Sequence, residues 1–145
     1  MQENNKFFLD ELLFRQVHPT FIHNGRVSSQ AFRPTPKDQK KLSINRGSKT
    51  TAEDCFKVYT IQRNLSSKGV WGVSVEETKT IPNLELLDDP LEDPISDPSH
   101  ALIDFTEIKD AKAVGSKLAE KANFRGCLHS SPVSTRNELV PIILS

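Results

Sequence analysis

Leu13-Phe14-Arg15-Gln16-Val17-His18-Pro19 is the stretch from which the rest of the chain is read. Its first five residues alternate, with Leu13, Arg15 and Val17 on one side and Phe14 and Gln16 on the other. That is the two-residue period of a half-buried strand. Pro19 has no amide donor and stops it. Phe7, Phe8, Leu12 and Phe14 supply apolar cover beside this strand, while residues 7–12 read equally well as a short helix or as its extension. Downstream, Phe21-Ile22 and Val27 flank His23-Asn24-Gly25-Arg26, and Asn-Gly between apolar residues predicts a tight hairpin turn. The spacing then predicts a return strand over 27–32 and a third strand over 42–45, ended by Arg46-Gly47.

Between those strands stands Arg33-Pro34-Thr35-Pro36-Lys37. Neither proline can donate to a ladder, and each biases the residue before it toward an extended backbone, so a stiff connector is expected. Stiffness lowers the entropy cost of presenting side chains. Arg33, Lys37, Lys40, Lys41 and Arg46 are therefore expected to form an anion-attracting rim, arginine as a planar fork and lysine as a point charge. The same charges on a solvated loop would serve solubility alone.

Thr50-Thr51-Ala52-Glu53 predicts a helix start in which a threonine hydroxyl caps the first turn and Glu53 reaches back. A helix over 51–62 follows, with Ala52, Cys55, Phe56 and Tyr59 on its buried stripe and Val58 and Ile61 widening it. Residues 70–75, Val-Trp-Gly-Val-Ser-Val, suit a central strand. Prolines 82, 90, 94 and 98 then interrupt an acidic run, predicting a long loop over 82–98 with at most a turn of helix near 84–87. Residues 100–105 read as a strand buried on both faces. Ile108, Ala111, Val114, Leu118 and Ala122 recur at helical spacing, and Gly126 is placed to stop that helix. A last strand at 127–129 and a tail carrying apolar residues 139–144 complete the chain. The order of elements predicts one α+β domain over residues 1–130, a mixed sheet of five or six strands with two main helices packed on it, and a C-terminal tail over 131–145.

At 145 residues and 36% hydrophobic content, such a domain buries on the order of two-thirds of its unfolded surface without cross-links. Cys55 and Cys127 show no CxxC spacing, and the apolar cluster at 7–14 is broken by Asp10-Glu11, unlike a secretory leader or a membrane span. A cytoplasmic protein with reduced thiols and no membrane association is expected. The net charge of zero conceals a partition: residues 1–70 carry 12 Lys/Arg against 6 Asp/Glu, residues 71–108 carry 1 against 10, and residues 109–145 carry 6 against 3. Either the acidic middle folds against the basic rim, or each meets its own partner.

No phosphate-loop, dinucleotide-loop, HExxH or GxSxG pattern is present. His18, His23, His100 and His129 have no metal spacing, so no metal site is expected; His18, before Pro19, is the histidine that invites a test. Carboxylates 88–97 on an extended loop have the chemistry to chelate a hard cation, although a solvated acidic loop, or one that binds a basic partner, fits as well.

Arg15, Ser28 and Glu76-Glu77 occur in the order used by ADP-ribosyltransferases, which the chain faintly resembles. That resemblance implies NAD as cofactor, Arg15 on the dinucleotide phosphates, Ser28 in the nicotinamide pocket and Glu76 or Glu77 stabilising a developing oxocarbenium ion. The chain departs from the pattern with Ser28-Ser29-Gln30 in place of Ser-x-Ser and with adjacent glutamates. The phrases at 14–19 and 31–38, with Leu42-Ser43, also resemble a group of small bacterial proteins to which no activity is attached. Nucleic-acid binding is a further alternative, a cationic rim near Phe32 meeting phosphates while the ring stacks on a base; a pI near 6.9 runs against it. The first expectation is a small bacterial binding or accessory protein that engages another protein through its basic loop, its acidic loop or both.

Overall fold

In a computed structural model that describes residues 6–131, the alternating stretch becomes β1 (Leu12–Val17), a central strand of the sheet. Leu13 and Val17 are fully buried in the main core, and Phe14 points to the opposite face. The Asn-Gly signal is met by a two-residue turn between β2 (Ile22–His23) and β3 (Arg26–Val27), paired Ile22 with Val27 and His23 with Arg26. Asn24 and Gly25 take φ of 55° and 78°, the left-handed pair that such a turn requires.

The expected return strand over 27–32 ends at Val27. Ser29–Phe32 instead turns as a 3₁₀ helix, because Ala31 and Phe32 are neighbours and both wholly buried. A strand would send them to opposite faces. The prolines act as expected: Arg33 (φ −141°, ψ 149°) and Thr35 (φ −82°, ψ 166°) are both extended. A 3₁₀ turn at Pro36–Asp38 leads into β4 (Lys41–Arg46).

Helix α1 (Ala52–Lys57) is capped by Thr51, whose hydroxyl accepts from the Asp54 amide, whereas Glu53 pairs with Lys57 at 3.1 Å and does not reach back to a Thr50 cap. Beyond Lys57 the chain widens into a π-helical turn, Val58–Gln62, which rotates Ile61 out to 73% exposure. Strand β5 (Gly69–Ser74) is central and buried, as expected. It pairs with β1 along its whole length, from Leu12↔Ser74 to Val17↔Gly69.

Residues 76–98 hold more order than their prolines suggest. Ser74 and Glu77 form a capping box that starts α2 (Val75–Lys79), and β6 (Glu85–Asp88) adds an edge strand to β7 (His100–Asp104). The reason is spacing: Pro82 and Pro90 lie outside β6, whose outer edge needs no donor. Along β7, Ala101 and Ile103 are fully buried while His100, Leu102 and Asp104 are not, so this strand is buried on one face only. Helix α3 (Ala111–Arg125) follows the expected stripe of Val114, Leu118 and Ala122. It stops at Gly126, φ 91°, before β8 (His129–Ser130) joins β5.

The six-stranded sheet has the order β6-β7-β4-β1-β5-β8, and every neighbouring pair is antiparallel. This is an α+β fold with an all-antiparallel sheet where a mixed one was expected. Strands β4 and β5 do run the same way, but β1 lies between them, so the α1 crossover yields no parallel pair. One face packs on α3 and the Ser29–Phe32 turn through Leu13, Val17, Leu42, Ile44, Val73, Ile103 and Leu118. Each of these side chains contributes about 1.5–3 kcal/mol by burial. The other face carries a smaller cluster of Phe14, Cys55, Phe56 and Val70 beneath α1. Among the described residues no helix is long and apolar enough to cross a membrane. The tail over 131–145, with its apolar residues 139–144, lies outside the described residues except for Ser131.

Candidate functional site

The five cations of the expected rim separate into two groups. Arg46 shares its face of β4 with Leu42 and Ile44 and is only 1% exposed, so it belongs to the interior. Its Nε donates to Glu11 Oε2 at 2.8 Å, its Nη2 to Glu11 Oε1 at 3.0 Å, and its Nη1 to Asp88 Oδ1 at 3.0 Å. The Phe7 ring covers it at 4.0 Å. Burial pushes the Glu11 carboxyl up, but hydrogen bonds from Arg46, Ser48 and the Phe8 amide outweigh it, and Glu11 stays below its ordinary range. The signal for this pair was available in the alternation 42-44-46, which puts Arg46 in a core row.

Arg33, Lys37, Lys40 and Lys41 remain at the surface, Lys37 and Lys40 exposed and Arg33 and Lys41 half-buried. None of the four makes an ion pair within 4 Å among the described residues. Their loop is braced by Asp38, whose Oδ2 accepts from the Thr35 amide at 2.8 Å and from the Thr35 hydroxyl at 2.7 Å. Gln39 and Lys40 then take φ of 54° and 65°. Two successive left-handed residues with side chains are strained, at roughly 1–2 kcal/mol each.

Three carboxylates of the acidic segment have partners within the fold, while Glu85 is exposed. Asp88 meets Arg46 and Lys49, Asp89 meets His100 at 3.1 Å, and Asp97 accepts from Asn45 Nδ2 and Ser99 Oγ. Glu92 and Asp93 stay exposed. The basic and acidic regions are thus joined by ion pairs at Arg46 and Lys49, and at the rim Lys41 stands across the β4–β7 ladder from Asp104. Among the described residues no three His, Cys, Asp or Glu side chains converge as a metal would require. His18 caps the Pro19–Phe21 turn, its Nδ1 accepting from the Thr20 amide at 3.2 Å.

Arg15, Ser28, Glu76 and Glu77 do not converge. The β1–β4 register ends at Phe14↔Asn45, and Arg15 sits where it opens, donating from Nε to Ala31 O at 2.8 Å and from Nη1 to Ser43 O at 3.0 Å. It thereby supplies a donor to a carbonyl that faces β1 without a ladder partner. Ser28 stands at the start of the Ser29–Phe32 turn with its buried Oγ making no cap bond, beside Val27, which exchanges two hydrogen bonds with Asn123. Glu77 faces Arg125 at 3.0 and 3.1 Å. Asn123 and Arg125 are two residues apart on α3 and point to opposite flanks, so that helix stands between Ser28 and Glu77. Glu76 is exposed on the first turn of α2. Neither cysteine is an activated nucleophile: burial pushes the Cys55 thiol up to about 12 and raises Cys127 as well.

Where β1 and β4 part, a cleft of about 290 Å³ opens on the α1 face, floored by Phe14, Gln16, Ser43 and Asn45 and roofed by Tyr59, Arg63 and Leu91. Nothing in the sequence points to it, because its floor and roof come from four separate stretches. No family model, curated protein or solved structure matches this chain.

Proposed function

We propose that this chain is a binding module that engages an acidic segment of another protein through Arg33, Lys37, Lys40 and Lys41. The observation that carries this reading is that none of those four cations makes an ion pair within 4 Å among the described residues, although Lys41 lies across the ladder from Asp104. The nearby carboxylates of Asp88, Asp89 and Asp97 are engaged elsewhere, and Asp38 is turned into its own loop. Pro34, Pro36 and the Thr35–Asp38 bonds order the loop beforehand, which lowers the entropy cost of association. In this reading the acidic segment, whose Asp88 serves as counter-ion to Arg46 and Lys49 while Glu85, Glu92 and Asp93 are exposed, is secondary to the basic loop. A bacterial cytoplasmic setting belongs to the same proposal and rests on the resemblance of residues 14–19 and 31–38, with Leu42-Ser43, to bacterial chains.

The test is a fluorescence-anisotropy titration with a labelled decaglutamate peptide and, in parallel, a single-stranded oligonucleotide. Peptide binding that weakens with salt and is abolished by Lys37→Glu, Lys40→Glu and Lys41→Glu together, with an unchanged circular dichroism spectrum, is expected. Equal binding by the triple variant removes the proposal, and tighter binding of the oligonucleotide transfers the surface to nucleic acid.

A further inference from the structure

The cleft on the α1 face contains an arginine whose hydrogen-bonding capacity is unmet. Arg63 follows the π-helical turn, its amide bonded to Val58 O at 2.9 Å, and that wider turn brings Tyr59 and Arg63 over the same opening. Such turns are often found at functional sites. Arg63 Nη2 is buried and has no hydrogen-bond partner. Its nearest carboxylate oxygen, Asp97 Oδ2, is 3.9 Å away, beyond hydrogen-bonding distance. Asp97 is meanwhile held by neutral donors, Asn45 Nδ2 at 3.0 and 3.1 Å and Ser99 Oγ at 2.9 Å. A buried donor without a partner is unfavourable, and the native arrangement keeps that cost at the roof of a cavity.

We infer that this cleft binds a small organic monocarboxylate, with Arg63 as the anion anchor. The guanidinium offers the planar fork that a carboxylate fills with two parallel bonds. The fixed charges suit a monoanion: Arg15 and Arg63 line the cleft as cations and Asp97 as an anion, with His100, which faces Asp89, at its edge. Phe14, Leu65 and Leu91 supply apolar wall for an aromatic or short aliphatic body, while Gln16, Ser43, Asn45, Tyr59 and His100 add polar groups around it. The volume, about 290 Å³, lies near the ~300 Å³ lower end for small-molecule sites. This site is separate from the cationic rim and does not depend on it.

Calorimetric and ¹H–¹⁵N titrations of the full chain with benzoate and hexanoate test it, with benzamide, hexanamide and inorganic phosphate as comparators. One or both acids are expected to bind at least tenfold more tightly than the matched amide and than phosphate, with shifts concentrated at Asn45, Tyr59, Arg63 and Leu91. Arg63→Gln is expected to weaken acid binding at least tenfold while leaving the melting temperature at or above that of the parent, and Arg63→Lys to recover part of the loss. Amides or phosphate binding as well as the acids, unchanged binding by Arg63→Gln, or no shift with any probe would overturn the assignment.

Discussion

Arg46 and Glu11 meet as a two-point pair inside the protein, Nε to Oε2 at 2.8 Å and Nη2 to Oε1 at 3.0 Å, with both side chains 1% exposed. The contact joins β4 to the turn that precedes β1, and Asp88 extends it to β6. Removing one partner leaves the other charge buried, at a cost of about 3–5 kcal/mol. Arg46→Met is therefore expected to lower the unfolding free energy by that amount in urea titrations. The double variant with Glu11→Leu should recover part of it, and strict additivity of the two changes would refute the coupling.

The same pair gives the stability a pH dependence. Glu11 is held below its ordinary value of 4.5, so at mildly acidic pH the unfolded chain carries a proton that the folded one does not. Its contribution is complete above about pH 4.5 and is lost as pH falls through the lower folded value. Glu77, lowered by Arg125 and the Ser74 amide against its burial, acts with the same sign. Melting temperatures measured from pH 6 to pH 3 should fall less steeply for Glu11→Gln than for the parent.

Gly115 lets α3 lie directly on the Ser29–Phe32 turn. A Cβ there would stand 2.8 Å from Ser29 O and 3.3 Å from the Arg33 Cβ, and the first of these is backbone that cannot swing away. Gly115→Ala should cost about 1–3 kcal/mol as overpacking, despite the better helix propensity of alanine. A rise in melting temperature would show that the turn can retreat.

Cys55 is 4% exposed, with its thiol pushed up to about 12, whereas Cys127 is exposed. Iodoacetamide should label Cys127 first in the native protein and reach Cys55 only on unfolding. Mass spectrometry of peptides from a timed reaction reads this directly, and equal labelling would contradict the packing of α1 on the sheet.

Gln39 and Lys40 are left-handed without being glycine. Gln39→Gly should relieve strain on the order of 1 kcal/mol, seen as a higher melting temperature, while leaving the rim charges in place.

Local pattern was enough for β1, the Asn24-Gly25 turn, the proline-stiffened connector and α3, because two-residue and 3.6-residue periods and turn chemistry act between near neighbours. The same kind of pattern held the clue to α2 in the Ser74-Val75-Glu76-Glu77 capping box, although the prolines that follow masked it. Strand β6 was hidden for a different reason: an edge strand is made by its partner, and Glu85–Asp88 extends because β7 offers an unpaired edge. The inward turn of Ser29–Phe32 likewise waited on α3, since burial of two adjacent residues depends on what lies above them.

Charge and site were matters for the assembled chain. Residue counts established that cations gather early and carboxylates in the middle, and that much follows from composition. Which of them cancel depends on strand register: Leu13↔Arg46 carries Arg46 into the interior beside Glu11, while Lys37 and Lys40 stay on an exposed loop without an ion pair among the described residues. The cleft under Arg63 exists because β1 and β4 separate after Phe14↔Asn45, and ladder pairing between residues some thirty positions apart is specified by packing of the whole sheet, not by either strand alone.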